Sequence, residues 1–185
     1  MDCGEDSGKV YVMFKPEKHA AIILSYPNDT ATCKLTRWLS NIGVHNVMSL
    51  NEKTKAEHTV YNAYIEMALA SNFNHFIFCD NDLKPIQTQM RPWLEAEADV
   101  VCCEYPIGRT HEEGWASYNA FHTGIWRTSR KVLEAIEPPW FTLRYTDDKQ
   151  VRLTGCICQT FRDRVLKARF SIAHVGYADH EVKKK

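Results

Sequence analysis

Asp80 and Asp82 are the residues whose type and spacing best suit chemistry, and they directly follow the apolar run 75–79. The alternation of side chains along a strand would point both carboxylates the same way. Two hard oxygen ligands suit Mg²⁺ or Mn²⁺, which can bridge the oxygens of a diphosphate. The alternative is a polar turn after a strand, because Asp and Asn are common in turns. The short D-x-D pattern alone leaves both interpretations open.

Five ring-bearing residues lie within a dozen positions of one another, namely Trp115, Tyr118, Phe121, His122 and Trp126. Aromatic faces pack well against the C–H groups of sugars, so this segment could contact a saccharide. The alternative is an ordinary apolar core. We predict that Trp115 and His122 contact an acceptor and that Phe121 and Trp126 belong to the core.

The elements that would position these side chains alternate between strand and helix patterns. Buried strands are predicted at 19–27, 44–51, 75–80, 99–105 and 170–175. Helices are predicted at 35–42, 57–70, 90–96 (broken by Pro92) and 129–136, with a long helix from Asp148 to Ala168. This alternation predicts an α/β fold with a largely parallel sheet. Such sheets bind ligands at the carboxyl ends of their strands, which is where Asp80 would lie.

Length and composition narrow the classes of protein. The 185 residues fit one domain spanning 1–185, with 1–17 and 181–185 expected as loose ends. The 23 basic and 23 acidic residues cancel, which argues against nucleic-acid binding. Neither a signal peptide nor a transmembrane segment is visible, so a cytoplasmic protein is expected. The seven cysteines include no C-x-x-C pair, and Cys79, Cys102 and Cys103 fall in apolar runs, which predicts buried thiols.

The D-x-D segment after a buried strand resembles the glycosyltransferases of the GT-A fold, especially the family 2-like enzymes. The resemblance extends roughly from Ala20 to Gly176, and its distinctive part is the D-x-D segment. It implies a single-domain, Rossmann-like α/β/α sandwich with a mostly parallel central sheet. It also implies a nucleotide-diphosphate sugar donor (a UDP- or GDP-sugar) and Mn²⁺ or Mg²⁺ as cofactor.

The resemblance assigns roles to residues outside the D-x-D segment as well. It implies metal binding by Asp80, Asp82 and His174, the last within His174-Val-Gly176. The alternative for His174 is a core histidine, and Asp179 and His180 are either further ligands or a polar tail. Contacts with the nucleotide sugar are implied for Ser25, Tyr26, Pro27, Asn51, Asn62, Asp80 and Gly124.

In the resembled enzymes, a carboxylate pair at the start of a late helix supplies the base that deprotonates the acceptor hydroxyl. Asp147 and Asp148 match this pair if the predicted long helix begins there. An alignment made from the turn near Arg169 instead puts Ile157 and Cys158 in that place. Capping of the helix N-terminus is an equal alternative role for the two acids.

We therefore expect a metal-dependent glycosyltransferase of the hexosyltransferase type, with an unidentified acceptor and with either inverting or retaining stereochemistry. One alternative is a nucleotide-sugar-binding domain that does not catalyse. A second is a nucleotidyltransferase, although the turn YPNDTATCK lacks the Gly-rich basic loop typical of that class.

Overall fold

Strands form the centre of the fold, and in the computed structural model they are built from the apolar runs of the sequence. The structure describes residues 14–24, 31–50, 57–105, 121, 123–145, 153–155 and 157–180. The strands are β1 (His19–Leu24), β2 (Asn46–Leu50), β3 (His75–Asp80), β4 (Leu83–Pro85), β5 (Val100–Glu104), β6 (Ile125–Ser129), β7 (Arg144–Tyr145), β8 (Leu153–Gly155) and β9 (Ile172–His180). Seven of them form one sheet in the order β2-β1-β3-β6-β5-β9-β4, and β7 pairs with β8 in a separate ribbon.

Most strands of the large sheet run in one direction. β1 is parallel to both β2 and β3, and β5 is parallel to β9. β6 lies antiparallel between β3 and β5, and β4 is antiparallel to β9 at the edge. The predicted α/β fold with a mostly parallel sheet is therefore confirmed. The two antiparallel strands, β4 and β6, were not predicted.

Helices cover both faces of this sheet. They are α1 (Ala31–Asn41), α2 (Glu57–Ala70), α3 (Arg91–Glu95), α4 (Arg130–Glu134) and α5 (Ile157–Lys167), with short 3-10 helices at Pro16–Lys18 and Gln87–Gln89. α2, α4 and α5 pack on one face, and α1 and α3 pack on the other. The α/β/α sandwich is thus confirmed.

The two sides of the sheet have different cores. The side facing α2 and α5 is aromatic, with Phe78 stacked on Trp126 at 4.2 Å between ring centroids and Phe121 edge-on to Trp126 at 5.2 Å. Phe121 and Trp126 are fully buried, which confirms their predicted place in the core. Cys79, Cys102 and Cys103 are buried free thiols, as predicted.

Several predicted boundaries need correction. α5 begins at Ile157 rather than Asp148, because residues 153–155 form strand β8 before it. Pro92 lies in the first turn of α3, where a missing N–H costs nothing, so it starts a helix instead of breaking one. The last strand continues to His180, well past the predicted end at 175. Gly43, with φ +84°, ends α1 as predicted.

Two arginines near β6 hold the carboxyl ends of two helices. Arg127 donates hydrogen bonds to the carbonyl oxygens of Trp93 (3.0 Å) and Ala96 (2.6 Å), at the end of α3. Arg130 donates to the carbonyl oxygens of Leu69, Ser71 and Phe73, at distances of 2.5–3.1 Å, at the end of α2. Each guanidinium therefore satisfies carbonyls that a helix end leaves without partners.

Within the described ranges, every helix is too short or too polar to cross a lipid bilayer.

Candidate functional site

Asp80 lies at the carboxyl edge of the sheet as the last residue of β3. Its backbone N–H donates to the carbonyl of Gly124 at 2.7 Å, and the N–H of Asn81 donates to the carbonyl of Leu24 at 3.2 Å. The Asn81 side chain is buried, with an exposed fraction of 1%. The backbone that carries the first carboxylate is therefore fixed between β1 and β6, which gives a rigid base for a binding site.

The Tyr61 hydroxyl, from helix α2, contacts the Asp80 carboxylate. It lies 2.9 Å from Oδ1 and 2.7 Å from Oδ2. Burial and the negative charge of Asp80 raise the pKa of Tyr61 well above its usual value. The phenol therefore stays protonated and donates to the carboxylate, which orients it. A carboxylate has about four acceptor sites, and Tyr61 supplies one proton.

Gly124 occupies a position with no room for a side chain. A Cβ there would lie 2.7 Å from Cζ of Tyr105 and closer still to Cδ1 of Leu83. The pKa of Tyr105 is raised well above its usual value, mainly by burial and to a smaller extent by the negative charge of Asp80. Two protonated phenols, from Tyr61 and Tyr105, thus lie near the Asp80 carboxylate.

The start of helix α5 is also part of this region. Cys158, in its first turn, lies 3.7 Å from the hydroxyl of Thr123, the residue before Gly124. Thr123 in turn makes a hydrogen bond with Tyr61 that lowers the pKa of that phenol. The first turn of α5 holds no acidic residue, so Ile157 and Cys158 occupy the helix start, as in the alignment made from the Arg169 turn. Arg169 has φ +65°, which fits a left-handed turn after the helix.

A second carboxylate, Glu104, ends strand β5 at the same edge and is only 9% exposed. Along β5, Val100 and Cys102 face the aromatic core, so side-chain alternation puts Glu104 on that face. Phe76 and Phe78 place Asp80 on that face in the same way. A single strand, β6, separates β3 from β5. The two carboxylates on this face of the edge, about 10 Å apart, lie on either side of β6 near Gly124.

The structure separates His174 from the two aspartates. His174 pairs with Cys102, which pairs with Trp126, which pairs with Phe78. His174 is thus three strand spacings from β3, roughly 14 Å. Across the sheet it is level with Phe78, which precedes Asp80 by two residues. Among the described residues, no three His, Cys, Asp or Glu side chains gather closely enough to hold a metal ion. The predicted set of Asp80, Asp82 and His174 therefore does not converge.

Asp82 lies between β3 and β4 and is half-buried. The next residue, Leu83, pairs with His180 across the antiparallel β4–β9 ribbon, and Lys84 pairs with Asp179. Three residues span at most about 11 Å, less than the four strand spacings from β3 to β4, so the sheet curls and the end of β9 returns toward Asp80. This curl brings the backbone at 179–180, the alternative ligands seen in the sequence, next to the backbone around Asp82.

Asn62 is engaged with another part of the backbone. Its Nδ2 donates to the carbonyl of Phe141 at 2.9 Å, and its Oδ1 accepts from the N–H of Phe141 at 2.9 Å. This double hydrogen bond ties α2 to the segment after α4. The predicted contact with a nucleotide sugar would require Asn62 to give up these bonds.

The remaining predicted site residues lie outside the described part of the chain. They are Ser25, Tyr26, Pro27, Asn51, Trp115, His122, Asp147 and Asp148. Ser25 and Asn51 follow Leu24 and Leu50, the last residues of the paired strands β1 and β2. Sequence reasoning missed Tyr61, Tyr105 and Glu104 as site residues. The sequence does hold a signal for Glu104, because this acid ends an apolar run in the same way as Asp80 does.

No protein-family model matches this sequence, and no curated protein matches it. Its structure is similar to that of A197 from STIV, with a TM-score of 0.59 and 16% identity over 86% of this chain and 82% of that one. It is also similar to the catalytic domain of Drosophila β1,4-galactosyltransferase 7 in complex with xylobiose, with a TM-score of 0.58 and 15% identity over 84% of this chain and 63% of that one.

A mutant of the same galactosyltransferase, in complex with manganese, UDP-Gal and xylobiose, gives a TM-score of 0.52 and 14% identity. This chain spans 63% of the galactosyltransferase domain, less than two thirds of its length. At these identities the likeness shows a shared fold. The chain has a Rossmann-like GT-A fold, the fold of these sugar-nucleotide transferases.

Proposed function

We propose that this protein transfers a hexose from a nucleotide-diphosphate sugar to an acceptor, with a divalent cation as cofactor. The observation that carries the proposal is Asp80, a carboxylate fixed at the carboxyl end of β3 and oriented by the Tyr61 hydroxyl at 2.7 Å. Open α/β sheets bind their ligands at this edge. The shared fold with a galactosyltransferase that binds UDP-Gal supports the same donor class.

The donor set fits the proposed cation. Carboxylate oxygens of Asp80 and Asp82 are hard ligands of the type that Mg²⁺ and Mn²⁺ prefer. The backbone at Asp179 and His180, the alternative ligands, pairs with Lys84 and Leu83 directly after Asp82. When bound, the cation would neutralise the charge that develops on the leaving diphosphate.

The chain's own groups would orient the donor and exclude water. Tyr61 holds the Asp80 carboxylate in one orientation, and the two phenols near it make the floor of the site apolar apart from their hydroxyls. Gly124 lets Tyr105 and Leu83 pack against the backbone at the start of β6, because a side chain there would overlap both. Ser25, Tyr26, Pro27 and Asn51 follow neighbouring strands, and we propose that they contact the nucleotide.

Isothermal titration calorimetry with UDP, in the presence and absence of Mn²⁺, tests the proposal. We expect Mn²⁺-dependent binding to the wild-type protein and at least about tenfold weaker binding to Asp82→Ala, from the lost charge-assisted ligand. The matched control is Glu137→Gln, which changes an exposed carboxyl after α4. Equal UDP affinity of Asp82→Ala and wild-type protein would rule out Asp82 as a cation ligand.

A non-catalytic nucleotide-sugar binder is the second candidate function. It is favoured by one observation, the absence of an acidic residue in the first turn of α5, where Ile157 and Cys158 stand. If the protein is an enzyme, we propose that Asp148, Asp147 or Glu104 supplies the base. Slow hydrolysis of UDP-sugars to free sugar with Mn²⁺ would identify an enzyme. Loss of that hydrolysis in Asp148→Asn but not in Glu104→Gln, or the reverse, would identify the base. Clear UDP binding without hydrolysis would identify the binder.

A further inference from the structure

A cleft of about 570 Å³ lies at the amino-terminal edge of the sheet, at the opposite end of the strands from Asp80. We call it the amino-terminal cleft. It is bounded by the starts of β1 and β3, the end of β6 and the segment after α3, and its polar lining includes Lys15, Lys18, His19, His75 and Arg127. Its volume is in the range of small-molecule sites. Because a six-residue strand spans about 17–20 Å, the cleft is separate from the Asp80 site.

Three cationic groups line the cleft without a carboxylate partner among the described residues. Lys15 and Lys18 take part in no ion pair of that part of the chain. Arg127 is half-buried and donates only to carbonyl oxygens at the end of α3, and burial lowers its pKa to about 10. The charge of a guanidinium that no carboxylate neutralises is costly to bury.

Two carboxylates also line the cleft and offset part of this charge. Asp99 accepts hydrogen bonds from the N–H and the hydroxyl of Ser171, both at 2.8 Å, which lower its pKa and keep it ionised. Glu97 is exposed to solvent, as Lys15 and Lys18 are, so these charges are screened alike. The three cationic groups therefore leave a small positive excess over the two carboxylates in the lining.

The cleft also contains a row of three rings, each tilted by 34° to the next. Phe14 and His19 are 4.4 Å apart and His19 and His75 are 5.1 Å apart, measured between ring centroids. The two histidines pair in register at the starts of β1 and β3. His19 is buried between the other two rings, so the half-buried Phe14 and His75 supply the accessible, partly apolar surface next to the cationic groups. Planar rings stack favourably on such a surface.

We propose that the amino-terminal cleft binds a small organic phosphate that carries a planar ring. The phosphate would lie among Lys15, Lys18 and Arg127, and the ring would pack on the row of Phe14, His19 and His75. Three cationic groups suit a phosphate dianion better than a single carboxylate. This site is independent of sugar transfer at Asp80, because it uses none of the same residues.

The surroundings of the two histidines predict that ligand binding in the cleft depends on pH. Burial lowers the pKa of His19 to about 4, with His75 and Arg127 adding to the effect and the Lys15 carbonyl and Glu17 opposing it. Burial also lowers the pKa of His75, and the positive charges of Arg127 and Lys18 lower it further. A bound phosphate would favour the imidazolium forms. Binding should therefore take up protons and tighten as the pH falls from 7.5 to about 6, below which the phosphate loses its second charge.

The test compares phenyl phosphate with inorganic phosphate by calorimetry on the full chain. We expect phenyl phosphate to bind at least tenfold tighter than inorganic phosphate, and a Lys15→Ala, Lys18→Ala double variant to bind phenyl phosphate at least tenfold more weakly. A Lys84→Ala, Lys167→Ala variant, which removes two exposed lysines elsewhere, should bind as the wild type does.

Two results would overturn the proposal. One is equal affinity for phenyl and inorganic phosphate, which would remove the role of the ring row. The other is unchanged phenyl phosphate affinity in the Lys15→Ala, Lys18→Ala variant. Because both lysines are exposed, this variant should fold, and histidine NMR resonances report the cleft directly: the pKa values of His19 and His75 should rise on ligand binding in the wild type.

Discussion

At the scale of single residues, the contact between Tyr61 and Asp80 decides how the candidate site is built. The phenol comes from α2 and the carboxylate from β3, so one hydrogen bond joins the helix layer to the edge of the sheet. Burial and the charge of the carboxylate raise the pKa of the phenol and keep it protonated, and the phenol orients the carboxylate. The pair therefore has a structural role, and we propose a binding role for it as well.

Tyr61→Phe should separate these roles. The variant removes a hydrogen bond to a charged acceptor, which should lower the free energy of unfolding by about 1.5–3 kcal/mol. Asp80 should also lose its fixed orientation, so Mn²⁺-dependent UDP affinity should fall. Urea unfolding and calorimetry measure the two effects.

Tyr64→Phe is the matched control, because it removes a phenolic hydroxyl from the same helix one turn further on. If Tyr64→Phe weakened UDP binding as much as Tyr61→Phe, the effect would come from α2 as a whole and not from the contact with Asp80.

At the scale of elements, the two arginines beside β6 link strands to the ends of helices. Arg127 closes α3 through the carbonyl of Ala96 at 2.6 Å, and Arg130 closes α2 through the carbonyl of Ser71 at 2.5 Å. Both use the planar fork of the guanidinium, which reaches several carbonyls at once. α2 carries Tyr61, so Arg130 supports the candidate site from the far end of the same helix.

Arg127→Lys and Arg130→Lys should therefore act on different helices. A lysine keeps the charge but cannot bond several carbonyls from one plane, so each variant should lose about 1–3 kcal/mol of stability. Hydrogen exchange should become faster at the end of α3 in Arg127→Lys and at the end of α2 in Arg130→Lys. Each variant controls for the other, and the same exchange pattern in both would contradict separate capping.

The same elements show what could be predicted from sequence. α2 and β3 match their predicted bounds at 57–70 and 75–80 because long apolar patterns and clear ends define them. The start of α5 was misplaced because the pattern from Val151 onward keeps helical spacing, while residues 153–155 pair with β7 as a strand. Tertiary pairing overrode the local pattern there.

The candidate site was predictable only in part, for a similar reason. Asp80 could be placed because a strand leads directly into it. His174 could not, because its distance from Asp80 depends on β6 and β5 lying between β3 and β9, and β6 was not predicted. The partner of Asn62 was equally hidden, since Phe141 is 79 residues away in the sequence. Long-range strand order leaves no local signal in the chain.

At the scale of the whole molecule, the two edges of the sheet hold different sets of charges. The carboxyl edge holds Asp80, Asp82 and Glu104. The amino edge is lined by Lys15, Lys18 and Arg127 together with Glu97 and Asp99, around the buried His19 and the half-buried His75. Burial of His19 at the amino edge makes stability depend on pH in a defined window.

The pKa of His19 is near 4 in the folded protein and about 6.5 in the unfolded chain, so the unfolded state binds the extra proton between these values. Stability should therefore be complete above pH 6.5 and decline as the pH falls toward 4. Allowing for solvent screening, His19 should account for about 1–3 kcal/mol of this loss. His75 should act in the same direction. Urea midpoints measured from pH 7 to pH 4.5 give the slope.

His19→Phe should flatten that slope, because phenylalanine can still pack on Phe14 and cannot take up a proton. His45→Phe, which replaces an exposed histidine after α1, is the matched control and should keep the wild-type slope. A slope in His19→Phe as steep as in the wild type would assign the acid sensitivity to other groups. Saturating phenyl phosphate should flatten the wild-type slope as well, since a phosphate beside the imidazolium offsets the cost of protonating it in the folded state. Acid sensitivity and phosphate binding would then depend on one group, the buried imidazole of His19 at the amino-terminal edge of the sheet.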